Sequence, residues 1–500
     1  MLSRKPSDSA QWPDLDDLRL LLAWCLGALY RAPLFYGLAL LAACLMSGLL
    51  LFDFSPRGFN ARRVALVLSG LAVCLALCLS GRYRQSFRRQ IQQIHPGCRW
   101  GLLAVFLLGL LSALQADYPE KGLQEVGLHL LLLIMTLAVS VSALNERSIT
   151  VLLWLCAGGL LSYCSGYLFY YALYLNYPPD YWSYSLYNYA SPRNFNHIQG
   201  WLIPLAVLLP LASQHALGLV RKLSCLPLAA LYFFMLVSGG RGLPLALAGA
   251  WVMSYLLFRQ YTGRQLVLHI KTFMLGAAVY LVFIQAIPIM LGQGYEHDNL
   301  VHRLIFHDDA GRLAIWQLAL QASLEHPWWG LGPQHYITLD TVFPSPHNVF
   351  LLWLSEWGLP AAALMTGLCL WTVLAFVSGV RRKLSNSQPG LLENHLQVAL
   401  CTSLMTSCLY AQVSGVYLTP LSQLFMVLVV GCCVHFHFRQ RSTGYPLTAL
   451  ERFSWLLLAG FLLLAFFWIF YREFALSQYL ISLPMEPNSP RFWRNGDFFN

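Results

Sequence analysis

The sequence predicts an all-α, polytopic membrane bundle of about thirteen transmembrane helices, and three observations carry that prediction. Of the 500 residues, 57% are hydrophobic and only 11% are charged, far from the composition of a soluble globular protein. Apolar runs near the twenty residues that a bilayer requires recur along the whole length. The lysines and arginines fall in the short links between these runs and are biased to one side.

The elements follow in chain order. Arg4 and Lys5 are followed by a polar, acidic stretch rather than an apolar run, so the first span is expected to act as its own insertion signal. Residues 14–30, DLDDLRLLLAWCLGALY, are amphipathic and read as a helix lying in the interface. Spans are then expected at 33–52, 64–80, 101–116, 126–144, 149–171, 199–218, 223–239, 242–258, 272–291, 347–380, 396–415, 419–438 and 453–471. The organisation predicted is N-terminal transmembrane helices over 1–190, a catalytic core over 191–438, and a last span with a short tail over 439–500.

Most of the 32 lysines and arginines fall on the side of the N-terminus, including RYRQSFRR at 82–89 and RRK at 381–383, which makes that side cytoplasmic. The segment DFSPRGFNARR, 53–63, fits badly, because it places three arginines on the other side. This orientation exposes three segments outside: the Tyr- and Trp-rich loop 172–198, the turn VSGGRG at 237–242, and the long loop 292–346. Loops of that length are usually functional.

Composition also excludes. The net charge of +10 is spread over short loops without interleaved aromatics, so no nucleic-acid partner is expected. The 13 cysteines are scattered, mostly inside spans, which argues against a disulfide framework and a structural zinc site. His297, His302 and His307 with Asp308 and Asp309 do not share a helix face and read as a solvated loop. No metal and no cofactor is predicted.

The chemistry gathers on the outer segments. ASPRNFNHIQGW, 190–201, carries Arg193, Asn194, Asn196, His197 and Gln199. Arg241 sits between glycines. Arg303 and Arg312 precede an amphipathic stretch in which Leu313, Trp316 and Leu320 share a helix face. Then comes FPSPHNVFLLWLSEWGLP, 343–360, where Ser345 reads as a helix cap, Pro346 as the first helical residue and His347 as a first-turn residue. The positive helix end disfavours an imidazolium, so His347 would be neutral and able to accept a proton. Glu356, deeper in the same helix, reads as a structural contact between helices. Guanidinium groups on the outer face suit a diphosphate and can replace a divalent cation. A base with a diphosphate clamp is the kit for glycosyl transfer from a lipid diphosphate sugar.

HNVFLLWLSEWGLP resembles the HN-x-x-L-x-x-x-x-E-x-G signature of the bacterial O-antigen ligase, O-antigen polymerase and pilin O-oligosaccharyltransferase superfamily. GRLAIWQLALQASLEHPWWGLGPQHY resembles its R-x-x-x-W and P-x-x-G-x-G segment, and SGGRG resembles its arginine turn. The resemblance covers roughly residues 190–430 and implies a glycosyltransferase-C-like helical fold. It also implies an undecaprenyl diphosphate-linked glycan donor and a metal-independent, inverting transfer at the periplasmic face of the bacterial inner membrane. RNFNHIQGWLIPL and SGVYLTPLSQL look most like the ligase and pilin-transferase branch, although only about thirty residues follow the last span.

The reading is therefore an inner-membrane glycosyltransferase acting on a lipid A core sugar or a pilin. His347 is its catalytic base, and Arg193, Gln199, Arg241, Arg312, Asn348 and Tyr417 its substrate-binding residues. Glu356 and Gly358 are structural. Arg303 and Arg312 serve either the substrate or lipid headgroups, and Tyr417 and His197 are the alternative bases. The rivals are a polymerase that uses a second lipid-linked glycan as acceptor, and a transporter. A transporter tends to place polar residues at the midplane of repeated halves, which this chain does not.

Overall fold

A computed structural model describes residues 32–48, 58–142, 144–175, 189, 191–214, 218–292, 311–339, 343–385 and 392–438. Among them the regular elements are all helical. The principal helices are α1 (Pro33–Ser47), α2 (Gly58–Leu79), α3 (Gly81–Gln93), α4 (Pro96–Gln115), α5 (Pro119–Ser140), α6 (Glu146–Tyr174) and α7 (Pro192–Ala206). There follow α8 (Leu226–Val237), α9 (Gly242–Tyr280), α10 (Arg312–Glu325), α11 (Val349–Ser385), α12 (Leu392–Tyr410) and α13 (Pro420–Phe438). Among the described residues, 9 helical stretches are long and apolar enough to cross a membrane, as a multi-pass membrane protein requires. The expected span 453–471 and the amphipathic stretch 14–30 lie outside the described residues.

The core lies between helices. α1 packs on α6, α5 on α13, α4 on α5 and α11, and α12 on α7 and α9. α12 is not one of the nine lipid-compatible stretches. Asn394, His395, Gln397, Thr402, Ser403, Thr406 and Ser407 are all buried along it. Protein surrounds most of this helix, and several of its polar groups bond to protein. Thr402 donates to the Val398 carbonyl at 2.9 Å, and Ser403 donates to the Trp201 carbonyl of α7 at 2.7 Å.

Two expected spans, 242–258 and 272–291, are joined within one long helical element. α9 breaks at Phe258 (φ −136°, ψ 37°), and the chain turns back on itself there. The Trp251 and His269 rings lie 4.7 Å apart, whereas eighteen residues of straight helix would separate them by about 27 Å. Thr262 donates to the Ser254 carbonyl at 3.1 Å and closes the reversal.

Two other expectations are corrected. RYRQSFRR is not a plain link but most of α3, capped by Ser80, whose hydroxyl accepts from the Tyr83 amide. Of the three arginines of 53–63 that defied the charge bias, Arg57 lies outside the described residues and the other two are structural. Arg62 is buried with its guanidinium 4.2 Å from the centre of the Tyr189 ring. Arg63 is buried too, and donates to the Gln423 side chain and to the Leu418 carbonyl at 2.8 Å. Charge bias governs arginines in loops, not arginines consumed by packing.

Candidate active site

Segments far apart in sequence meet at one end of the bundle. The start of α7, the turn 238–241, the start of α10, the segment before α11, and the turn after α12 all converge there. His197 holds α7 to the last of these. Its Nδ1 lies 3.2 Å from the Thr419 hydroxyl and its Nε2 2.8 Å from the Ser414 hydroxyl. It is buried, and both ring nitrogens are engaged by hydroxyls of the turn after α12.

The helix that follows His347 begins later than expected. Asn348, not Ser345, is its cap: the Asn348 Oδ1 accepts from the Leu351 amide at 3.0 Å. Asn348 Nδ2 donates to the Gln412 carbonyl at 3.1 Å, and the Val349 amide to the Ala411 carbonyl at 2.9 Å. Asn348 therefore ties α11 to the turn after α12. His347 lies outside the helix, in the left-handed region with φ 52°. Ser345 is buried, and its hydroxyl has no hydrogen-bond partner.

α10 brings the first arginine. Arg312 and Trp316 are four residues apart and share a face. The Trp316 indole N–H donates to the Pro346 carbonyl at 2.9 Å, directly before His347. This latch sets Arg312, one turn earlier, against His347. α10 packs through a face other than that of its leucines. Leu313 and Leu320 are exposed, Trp316 is half-buried, and Ile315, Ala319, Ala322 and Ser323 form the inner face. In a membrane protein the lipid side carries leucine and the packed side carries small residues.

Arg193 enters from the first turn of α7, where Ser191 caps the helix by accepting from the Arg193 amide. Burial pushes the His347 imidazole down to about 4, and the positive fields of Arg193 and Arg312 add to the shift. The cause is thus desolvation and two arginines, not a helix dipole. At neutral pH the ring is an uncharged base, and its Nδ1 is buried without a hydrogen-bond partner.

A pH profile tests this. A histidine with a lowered pKa loses its basic form only as pH falls through that lowered value. The acid limb of kcat/KM should therefore lie near pH 4, well below the ordinary value of 6.5. Arg312→Gln should move the limb upward. An acid limb at the ordinary histidine value would contradict the electrostatics.

Arg241 reaches the same end through the turn between α8 and α9. A Cβ on Gly240 would lie 2.3 Å from Asn196 Nδ2 on α7, and one on Gly242 would lie 3.0 Å from both Tyr410 and Val413. The arginine is flanked by glycines because α7 and the end of α12 approach its backbone that closely. Arg241 is half-buried.

Two other expected binding residues also make structural contacts. Gln199 is fully buried and donates to the Leu231 carbonyl of α8 at 2.6 Å. Tyr417 is half-buried, its ring 6.2 Å from that of Trp353, and its carbonyl accepts from Gln423 at 2.8 Å. Arg303 and the histidines at 297, 302 and 307 lie outside the described residues.

The rest of the motif builds a dock. Glu356 is buried, and its Oε1 accepts from the Tyr336 amide at 3.0 Å. Its carbonyl accepts from the Gly332 amide at 2.9 Å and from the Ser112 hydroxyl at 3.0 Å. At Gly358 α11 breaks (φ 79°, ψ 169°), and the Leu359 amide turns to the Pro327 carbonyl at 2.8 Å. The loop PWWGLGPQHY thus docks into the break. Tyr336 then donates to the Ile315 carbonyl of α10 at 2.8 Å.

Sequence reasoning missed Tyr410, which is buried at the end of α12 beside Asn196 and Ser414 and within the fields of Arg193 and Arg312. The polar stripe along 394–407 was the available signal. An apolar cavity of about 580 Å³ lies between α6, α8 and the later part of α9, walled by Trp154, Leu161, Tyr167, Phe233, Phe234 and Val279.

A family model described as O-antigen ligase matches residues 226–366, from the start of α8 into α11. The match supports the O-antigen ligase superfamily, a ligase- and polymerase-type group of membrane glycosyltransferases. No curated protein matches the chain.

Proposed function

We propose that this chain transfers an oligosaccharide en bloc from undecaprenyl diphosphate to an acceptor hydroxyl at the periplasmic face of the bacterial inner membrane. The observation that carries the reading is the convergence on His347, whose Nδ1 is buried without a partner, of Arg312, set there by the Trp316–Pro346 latch, and of Arg193. One imidazole can take a proton while the guanidinium groups beside it receive an anion.

The reaction balances on these groups. The acceptor oxygen attacks the anomeric carbon of the first sugar from the face opposite the diphosphate. His347 takes the hydroxyl proton as the new carbon–oxygen bond forms. The bond from the anomeric carbon to phosphate breaks, and the diphosphate leaves with the electron pair. This single displacement inverts the configuration, and Arg193, Arg312 and Arg241 spread the charge of the diphosphate in place of a divalent cation. The cavity walled by α6, α8 and α9 suits the hydrocarbon tail. The acceptor is a lipid A core sugar or a pilin side chain.

Two measurements test the proposal. Purified protein should keep its transfer activity in EDTA. Loss of transfer in EDTA that magnesium or manganese restores would remove the arginine clamp. Deletion of the gene should abolish glycan on lipid A or on pilin. Lipid A carrying single repeat units instead would identify a polymerase, and unchanged products of every kind would reject the transferase.

A further inference from the structure

Asn196 is a polar side chain at this end of the bundle that the proposed chemistry leaves unused. It sits on α7, one turn after Arg193, and its accessible surface is 0%. Neither its Nδ2 nor its Oδ1 has a hydrogen-bond partner. The Tyr410 hydroxyl is the polar group beside it, near enough to interact with the amide but outside strict hydrogen-bond geometry, so the amide is at best weakly satisfied. A buried amide left unsatisfied costs about 1–3 kcal/mol, so a packed leucine of similar size would serve the fold better. Such a group calls for another explanation than packing.

Its position supplies one. The Nδ2 lies where a Gly240 side chain would begin, with only 2.3 Å to the Cβ that alanine would add there. Arg241 is the next residue. On the other side of Arg241, a Cβ on Gly242 would lie 3.0 Å from Tyr410 and Val413. The turn 238–242 is thus seated between an amide on the helix of Arg193 and a ring at the end of α12. The amide sets how far Arg241 stands from Arg193.

We infer that Asn196 is a positioning residue for the diphosphate clamp: it seats the turn of Arg241 against α7, so that the guanidinium groups of Arg193 and Arg241 face one anion together. The inference rests on the transferase reading above. It explains why Gly240 cannot carry a side chain and why a polar group stays in a place that disfavours it. Two arginines bind a diphosphate as a pair only when their separation is held, because each charge-assisted hydrogen bond depends on geometry.

The test uses the full chain in detergent, with undecaprenyl diphosphate as the binding probe. Asn196→Leu should melt at the wild-type temperature or above, since it removes an unsatisfied amide. It should bind the probe about ten- to a hundred-fold more weakly, with KM for a glycan donor raised and kcat at saturation within a few-fold of wild type. Gly240→Ala should weaken binding similarly, because its methyl group displaces the amide. A residue that served stability alone would change the melting temperature and leave this split in KM and kcat untouched. Wild-type probe binding by both variants would overturn the inference. His347→Ala in the same assays separates the two layers. If it is inactive while both variants behave as wild type, only the role of Asn196 is wrong. If it turns over normally, the site reading fails and takes this inference with it.

Discussion

His347→Ala should accumulate in the membrane at the wild-type level and transfer glycan about 10²- to 10⁴-fold more slowly, the usual loss for a general base. Little of the fold depends on this ring. The main stabilising contacts nearby belong to its neighbours: Trp316 to the Pro346 carbonyl, and Asn348 to Leu351 and Gln412. The left-handed backbone at φ 52° is a complication, since alanine adopts it less readily than histidine or asparagine. His347→Asn therefore serves as the second variant. It keeps the backbone and supplies an amide that cannot take a proton at neutral pH, so it should be as inactive as alanine.

Binding divides the base from the clamp. His347→Ala should bind undecaprenyl diphosphate almost normally, because the partner of the imidazole is the acceptor hydroxyl. Arg312→Lys should bind it more weakly, since a point charge does not reproduce the planar fork. Near-normal transfer by both His347 variants would make the histidine a loop residue.

How much of this could be read from the sequence depended on whether a signal was local. The spacing of Arg312 and Trp316, and the run from His347 to Gly358, are short patterns, and they placed α10, α11 and the candidate base in the right neighbourhood. The first turn of α11 was misplaced because Pro346 looked like a helix start, while the left-handed backbone at His347 leaves no local mark. Gln199 and Tyr417 were assigned to substrate because they are polar and near an expected loop. Their contacts with Leu231 and Trp353 come from distant segments. On α10, periodicity finds the apolar stripe of Leu313 and Leu320 but not which face packs on protein. Arg62 and Arg63 are the opposite case: their misfit to the charge rule was itself the sign of burial.

Gly358→Ala should have the largest effect on the fold. With φ 79° and ψ 169°, this residue occupies a region open essentially to glycine alone, and holding another residue there costs about 1–3 kcal/mol. Sterics add to that. A Cβ at 358 would lie 2.3 Å from the Trp328 carbonyl oxygen and 2.8 Å from the Trp329 amide nitrogen, both backbone atoms of the docked loop. The helix must straighten or the loop must leave. Either movement breaks the bonds from Leu331 to Ser355, Gly332 to Glu356 and Leu359 to Pro327. The damage then runs through Tyr336, which bonds Ile315, to the helix that holds Arg312. Gly358→Ala should therefore melt several degrees lower in detergent, accumulate poorly, and lose transfer together with donor binding. Glu356→Gln should be milder, because an amide oxygen can still accept from the Tyr336 amide at the same place. The paired result matters more than either alone. If Gly358→Ala melts and turns over like wild type, the loop is not docked into the helix break, and the path from the motif to Arg312 is wrong.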